Sequence, residues 1–275
     1  PSIESRGQLY MWMRDVVTLT NPLIFIAENV KGLLTANKRK AIDVIIKDFE
    51  TIAPGYIVKP HLYNFAEYGV PQFRERVLIV GIRKDTGFDF VHPKPICGPT
   101  TENPYVTAGQ ALEGVEEVEF NNEALGCKDK TRRMLELIPE GGNFTDIPKD
   151  HPLYVKGMIS HVYRRINRNE PAKTIIAAGG GGTWGYHYPE PRPLTNRERA
   201  RLQSFPDDFV FAGSITEVRR QIGNAVPPEG VRLVARRLMP LFTGEYEKID
   251  LEKEYEELRN LSVQERLERI TNEME

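Results

Sequence analysis

The chain has 275 residues, 40% of them hydrophobic and 28% charged, and a formal net charge of −2. That reads as an ordinary globular protein with one large domain, or one domain carrying an insertion. Two cysteines exclude a disulfide framework and a Cys-rich zinc site and fit a reducing, cytoplasmic setting, and no apolar run approaches the roughly 18 residues of a membrane span.

The opening Pro1-Ser2-Ile3-Glu4-Ser5 has neither Met nor a signal-peptide pattern, so the start is expected to be internal to a larger product. Residues 7–20 predict a helix, with Leu9, Trp12, Met13 and Val16 at helical spacing and Asn21-Pro22 as the stop. Leu23-Ile24-Phe25-Ile26-Ala27 is a continuous apolar run, expected to be a strand buried on both faces of a parallel sheet. Residues 38–50 read as an amphipathic helix on Ala41, Ile45 and Phe49, and Tyr56-Ile57-Val58 and Arg76–Ile82 as strands. That alternation predicts an α/β domain with crossover helices.

From about 85 the prolines crowd together (Pro93, Pro95, Pro99, Pro104), and residues 128–190 stay rich in Gly and Pro, with Gly179 to Gly182 consecutive. An inserted, irregular domain is expected here. Helical signals resume at Thr195, which forms a capping-box pattern with Glu198; Val231, Val234, Ala235 and Leu238 make another stripe. In the tail Ser262 and Glu265 repeat the capping pattern ahead of Leu267, Ile270 and Met274.

Charge is unevenly spread. Residues 1–100 carry 13 basic against 10 acidic side chains, 101–125 none against 6, 126–244 19 against 12, and 245–275 5 against 11. A basic body is thus masked by an acidic insert, read as a solvated loop, and an acidic tail, read as a docking or solubility element. A basic stretch is the footprint of a phosphate-binding surface, or a solvated mixed surface.

Three segments can carry chemistry. Glu28-Asn29-Val30 directly follows the apolar run, where ligand crevices of open α/β sheets lie. A carboxylate buried there would have a raised pKa suited to acid–base work; alternatively it caps the next loop. In Gly69-Val70-Pro71-Gln72-Phe73-Arg74-Glu75-Arg76, Arg74 and Arg76 are two apart at a strand start. They would converge on a planar, oxygen-rich ligand, or form a surface pair with Glu75. Gln221-Ile222-Gly223-Asn224-Ala225-Val226-Pro227-Pro228 offers close backbone approach at Gly223 and an amide at Asn224, or is a plain turn.

In this order the segments resemble the motifs of the cytosine-C5 DNA methyltransferases. Arg6-Gly7-Gln8-Leu9 is similar to that family's Arg-Gly-x-Leu element, Glu28-Asn29-Val30 to its Glu-Asn-Val motif and Gly69 to Arg76 to its Pro-Gln-x-Arg-x-Arg motif. Pro193-Leu194-Thr195-Asn196-Arg197-Glu198-Arg199-Ala200-Arg201-Leu202-Gln203-Ser204-Phe205-Pro206-Asp207 resembles the motif after the target-recognition domain, and Gln221 to Pro227 the closing Gly-Asn-x-Val motif. The resemblance covers about residues 5–240, and five motifs in register are highly specific where one would be weak.

The resemblance implies the second half of a Rossmann-like methyltransferase sheet in residues 1–90, a target-recognition domain in 91–190, a return to the catalytic domain in 191–245 and an acidic helical tail in 246–275. It implies methyl transfer from S-adenosyl-L-methionine to C5 of a cytosine flipped out of double-stranded DNA, within a restriction-modification system and without a metal. Glu28 would address N3 of the base and Arg76 its O2. Asn29 would position Glu28, and Gln72 and Arg74 would hold the pocket wall. Leu9, Asn224 and Val226 map to the cofactor pocket. Residues 161–175 resemble a segment of members that read GC-rich sites. This makes Arg164, Arg165 and Arg168 candidate base readers and Lys173 a phosphate contact; alternatively the arginines meet phosphates only, or pair with Glu170.

The family's Pro-Cys nucleophile and Gly-rich cofactor loop are not in these residues, and Cys97 and Cys127 stand at the wrong places. The chain is therefore expected to be the C-terminal part of an enzyme, inactive alone, or one subunit of a split one. The alternative is a non-catalytic DNA-recognition subunit. A tRNA-methylating relative would carry its own Cys-containing element in the recognition region, and none is found.

Overall fold

A computed structural model describes residues 9–157, 162–177 and 185–274. In chain order its regular elements are α1 (Leu9–Thr20), β1 (Ile24–Val30), α2 (Lys40–Glu50), β2 (Tyr56–Asn64), β3 (Gln72–Phe73), β4 (Glu75–Arg83), α3 (Ala108–Leu112), α4 (Asp129–Leu137), β5 (Ala172–Lys173), α5 (Asn196–Leu202), α6 (Ile215–Asn224), α7 (Pro228–Thr243), α8 (Glu252–Arg259) and α9 (Val263–Met274). The chain divides into two compact units. The first draws on residues 1–64, 75–94 and 233–275, the second on 65–74 and 95–232.

The first unit is built on a three-stranded sheet in the order β1-β4-β2. Side chains two apart share a face. Phe25, Val77, Ile79, Tyr56 and Val58 accordingly join Ile42, Ile45, Ile46 and Phe49 of α2 in one core. Ile57 packs instead with Leu251, Tyr255 and Leu258. Phe25 lies opposite Gly81 in the register, and a Cβ at Gly81 would sit 2.1 Å from the Phe25 ring. Only glycine lets that ring cross the strand to reach Phe49, at 4.5 Å between centroids.

Two expectations for this unit are corrected. Both pairings of β4 are antiparallel, β4 is the neighbour of β1 among the described residues, and Ile26 is exposed where Phe25 is buried, so the described strand is neither paired in parallel nor covered on both faces. The apolar run alone could not separate these cases, because sheet position decides which faces are covered. The α1 stripe is also turned. Val17 is buried with Tyr10 and Met13 against it, while Leu9, Trp12 and Val16 are exposed, Trp12 by 73%. A helix apolar on two sides does not show from its spacing which side packs.

The acidic tail is part of this unit's interior. Arg266, fully buried, pairs with buried Glu50 at 2.5 Å, and Tyr255 Oη donates to the Glu50 carbonyl. Lys59 of β2, also buried, is met by Asp89, Glu254 and Glu273. The tail's negative charge thus serves partly to neutralise buried cations. The Ser262–Glu265 capping box forms as expected.

In the second unit one core gathers Leu112, Val115, Ile175, Leu194, Leu202, Phe211, Val218 and Ile222; another gathers Met134, Leu135, Ile138, Phe144, Val162 and Tyr186. β3 and β5 pair in parallel, Gln72 opposite Ala172. The acidic stretch 102–123 is more than a solvated loop. Its carboxylates face solvent, but Leu112 and Val115 are core, and Thr107 and Gln110 cap α3. Thr195 and Glu198 form the expected capping box of α5.

Candidate active site and nucleic-acid interface

Glu28 lies opposite Leu78 and Val30 opposite Arg76, which makes Glu28 and Arg76 diagonal neighbours across the β1/β4 ladder. Arg76 Nε lies 2.8 Å from Glu28 Oε1. The carboxylate is not buried, as the sequence reading had it; its side chain is 31% exposed. It stands near the C-terminal end of β1, which among the described residues has a neighbour on one side. Asn29 does not bond Glu28: its Oδ1 accepts the Val30 N–H at 2.9 Å, a local turn that sets the chain direction after the strand. The Glu75 carboxylate pairs with Lys31 at 2.7 Å, while Arg76 Nη1 donates to the Glu75 backbone carbonyl at 2.8 Å.

Arg74 and Arg76 do not converge. Arg74 is buried in the second unit, donating from Nη1 to the Ile175 carbonyl and from Nη2 to those of Gly223 and Ala225. Regular strand pairing begins at Glu75, so the two-residue alternation that would align the arginines does not extend back to Arg74. Gln72 is fully buried too. Its amide donates to the Leu202 carbonyl and Gln203 Oε1 and accepts the Ile175 N–H. The sequence motifs around Gln72, Ile175, Gln203 and Gly223 therefore meet in one polar network within this unit. Gly223 completes it: a Cβ there would lie 2.2 Å from the Ala177 backbone nitrogen.

Of the three residues mapped to a cofactor pocket, Leu9 is exposed on α1, Asn224 is exposed at the end of α6 and Val226 is half-buried two residues beyond. The Asn224 amide bonds to nothing among the described residues. Within the second unit, Asn224 and Val226 offer an amide and an apolar side chain, groups of the kind that meet the polar edge and apolar face of a nucleoside.

The candidate DNA contacts separate into kinds. Arg164 and Lys173 line a cleft of about 300 Å³. Lys173 is exposed, its Nζ 4.9 Å from the Phe73 ring centre. Arg164 makes no side-chain hydrogen bond or ion pair among the described residues. Arg165 is a correction: its guanidinium donates to the carbonyls of Leu135, Ile138, His187 and Tyr188. Those bonds leave it a structural brace rather than a base reader. Arg168 does not pair with Glu170 but with Glu140, at 3.1 Å, and stacks over the Tyr188 ring at 4.7 Å. It remains half exposed. Arg6, Gly7 and Gln8, His161, and the Gly179–Gly182 run with Thr183 and Trp184 lie outside the described residues.

Both cysteines are ordinary packing residues. Cys97 is buried, its Sγ 3.0 Å from the Ala66 carbonyl, and burial pushes the half-buried Cys127 thiol up, away from the thiolate a nucleophile needs. Sequence reasoning gave no role to Arg199, which lines the same cleft as Arg164. The available signal was three arginines, 197, 199 and 201, on a helix of seven residues, of which the first two are buried. No helix among the described residues is long and apolar enough to cross a membrane.

The type II methyltransferase M.NgoFVII of Neisseria gonorrhoeae is 66% identical over 274 residues, covering 98% of this chain and 73% of that protein. M.BbvI of Brevibacillus brevis, another type II methyltransferase, is 44% identical, covering 96% and 71%. Among solved structures, a DNA modification methyltransferase encoded within an Escherichia coli prophage superposes with a TM-score of 0.64 at 23% identity, over 88% of this chain and 76% of that one. That likeness shows a Rossmann-like methyltransferase fold. The sequence profile of the C-5 cytosine-specific DNA methylases matches residues 3–239, and the chain belongs to that family.

Proposed function

We propose that these residues form the base-holding and DNA-reading part of a type II DNA cytosine-5-methyltransferase acting on a cytosine flipped out of a specific duplex site. The observation that carries this reading is the Arg76–Glu28 pair. Cytosine offers a ring nitrogen, N3, beside a carbonyl oxygen, O2. A carboxyl group and a guanidinium 2.8 Å apart on one sheet face, both in contact with solvent, suit those two atoms. Glu28 would hold a proton at N3 and Arg76 donate to O2. Both draw off the negative charge that enters the ring when a thiolate adds to C6, so that C5 can attack a methyl group. S-adenosyl-L-methionine supplies that methyl group when bound, and Leu9, Asn224 and Val226 would contact it. Gln72 and Arg74 act one step back, by fixing the 172–176 segment to the ends of α5 and α6. Asn29 sets the backbone after β1. Residues 91–190 would read the DNA, through Arg164 and Arg168 at bases or phosphates and Lys173 at phosphate.

The thiolate must come from a Pro-Cys segment that these 275 residues do not contain, either in the same longer chain or in a partner subunit. The exposed apolar residues of α1 and the single described neighbour of β1 support a further segment packing there. The missing nucleophile equally favours a second reading, a recognition subunit without chemistry of its own. Labelled-methyl transfer decides between them. The 275-residue chain alone should be inactive, and mixing it with a chain carrying the Pro-Cys half should restore transfer that Glu28→Gln abolishes. Restored activity indifferent to Glu28→Gln would leave only the recognition role; activity of the chain alone would overturn the part-enzyme reading.

A further inference from the structure

Arg199 is 1% exposed, yet its Nη2 has no hydrogen-bond partner among the described residues. Its Nε reaches only the Leu194 carbonyl, at 3.3 Å. A buried guanidinium left partly unpaired is costly, and such groups ordinarily find a partner in protein, water or ligand. Burial, with Arg219 adding like charge against the opposing pull of Glu198 and Tyr186, brings its pKa down to about 10. Arg199 also borders the cleft of about 300 Å³ lined by Arg164 and Lys173, neither of which forms an ion pair among the described residues. Counting Arg165, four cationic side chains line this cleft against one carboxylate, Glu170. The volume admits a tetrahedral oxyanion and little more than a nucleotide-sized group.

We propose that Arg199, Arg164 and Lys173 form a phosphate-binding site in this cleft, and that its occupant is one phosphodiester of the substrate DNA. The second half of the proposal rests on the methyltransferase reading; the first does not. Arg199 would supply the donor it leaves unused, from a buried position that water screens poorly, while Arg164 and Lys173 close the rim. A phosphate held this way is contacted regardless of sequence. It sets the register of the strand on the protein and leaves base readout to other groups.

Two measurements test this. The first is the melting temperature of the 275-residue chain in inorganic phosphate against chloride at equal ionic strength. Phosphate should raise it, and Arg164→Ala, whose side chain is not core, should remove most of the rise; Arg199→Lys, which keeps the charge but loses the fork, should reduce it. The second is duplex binding with one methylphosphonate introduced at a time. One position should cost about tenfold in the wild-type chain and under about twofold in Arg164→Ala. Phosphate stabilisation without a sensitive position would overturn the DNA assignment and make the cleft an anion site for a free phosphate. Duplex binding with neither effect would keep the methyltransferase reading and overturn the cleft. No duplex binding in the wild-type chain, with the phosphate effect intact, would overturn the DNA half alone.

Discussion

Arg74 Nη2 donates to the Gly223 carbonyl at 2.8 Å, across 149 residues of chain. The same guanidinium reaches Ala225 and Ile175, so one side chain ties three segments together. Lysine keeps the charge but offers a point instead of a planar fork, and cannot reach three diverging carbonyls. Arg74→Lys should cost about 2–4 kcal/mol, mostly from carbonyls left buried and unpaired. In a unit of this size that lowers the melting temperature by about 5–15 °C. A thermal melt followed by circular dichroism checks it, and a shift under 1 °C would remove Arg74 from its bracing role.

Gly223 makes a companion prediction. Because a Cβ would sit 2.2 Å from backbone, not from a movable side-chain tip, the chain around Ala177 must shift to admit one. Gly223→Ala should lose about 1–3 kcal/mol by overpacking. Gly126→Ala is the control, since nothing lies within 4 Å of its Cβ position. Urea titration of both should separate them; equal midpoints would mean the close approach at Gly223 is not needed.

The Glu28–Arg76 pair predicts a split between chemistry and stability. An ion pair with a partly exposed carboxylate contributes under about 1 kcal/mol to folding. A group that moves or holds a proton in the reaction contributes about 10²–10⁴-fold in rate. In the complete enzyme Glu28→Gln should therefore leave the melting temperature within 3 °C or so and reduce methyl transfer at least about 100-fold, with duplex binding retained. Loss of binding in parallel with activity would assign Glu28 to structure instead.

Much of this was legible in the sequence, and the reason differs by residue. Capping boxes at Thr195 and Ser262 are local and read directly, because both partners lie within one turn. The motifs around Glu28, Arg76 and Gly223 were found, but not the division of labour between Arg74 and Arg76. Two residues apart in the chain, they serve different networks because the ladder starts between them. Arg165 looked like a reader until four carbonyls, contributed by residues 135 to 188, surrounded it. The tail looked like a solvated acidic helix because Glu50 and Lys59, its buried partners, are about 200 positions away. Long-range polar pairing has no periodicity, so composition cannot announce it.

Two histidines of the first unit, buried His92 and half-buried His61, give a pH dependence. His61 and His92 lie 5.1 Å apart between ring centres, and Tyr63 Oη is 2.5 Å from His92 Nδ1. His92 Nε2 faces the Lys59 carbonyl at 3.1 Å, which can only accept, so Nε2 carries the proton and Nδ1 accepts from the tyrosine. The neutral ring is thereby fully satisfied. Burial brings the His61 pKa down to about 4, and burial with the neighbouring His61 and Lys59 holds His92 well below the usual histidine range. Both folded pKa values are depressed, so the unfolded chain binds more protons in acid. Their contribution is fully present above about pH 6.5 and is lost as pH falls toward 4, at about 1.4 kcal/mol per unit for each ring. By pH 5 His61 alone should cost about 2 kcal/mol of unfolding free energy. His61→Leu removes one titrating ring and should flatten the decline between pH 6.5 and 5, measured by urea unfolding at each pH. The carboxylates held low by arginines, Glu140, Glu190 and Asp207, titrate below that window and do not blur it. An unchanged slope in His61→Leu would mean that the His61 ring is already protonated, or already in water, in the folded protein.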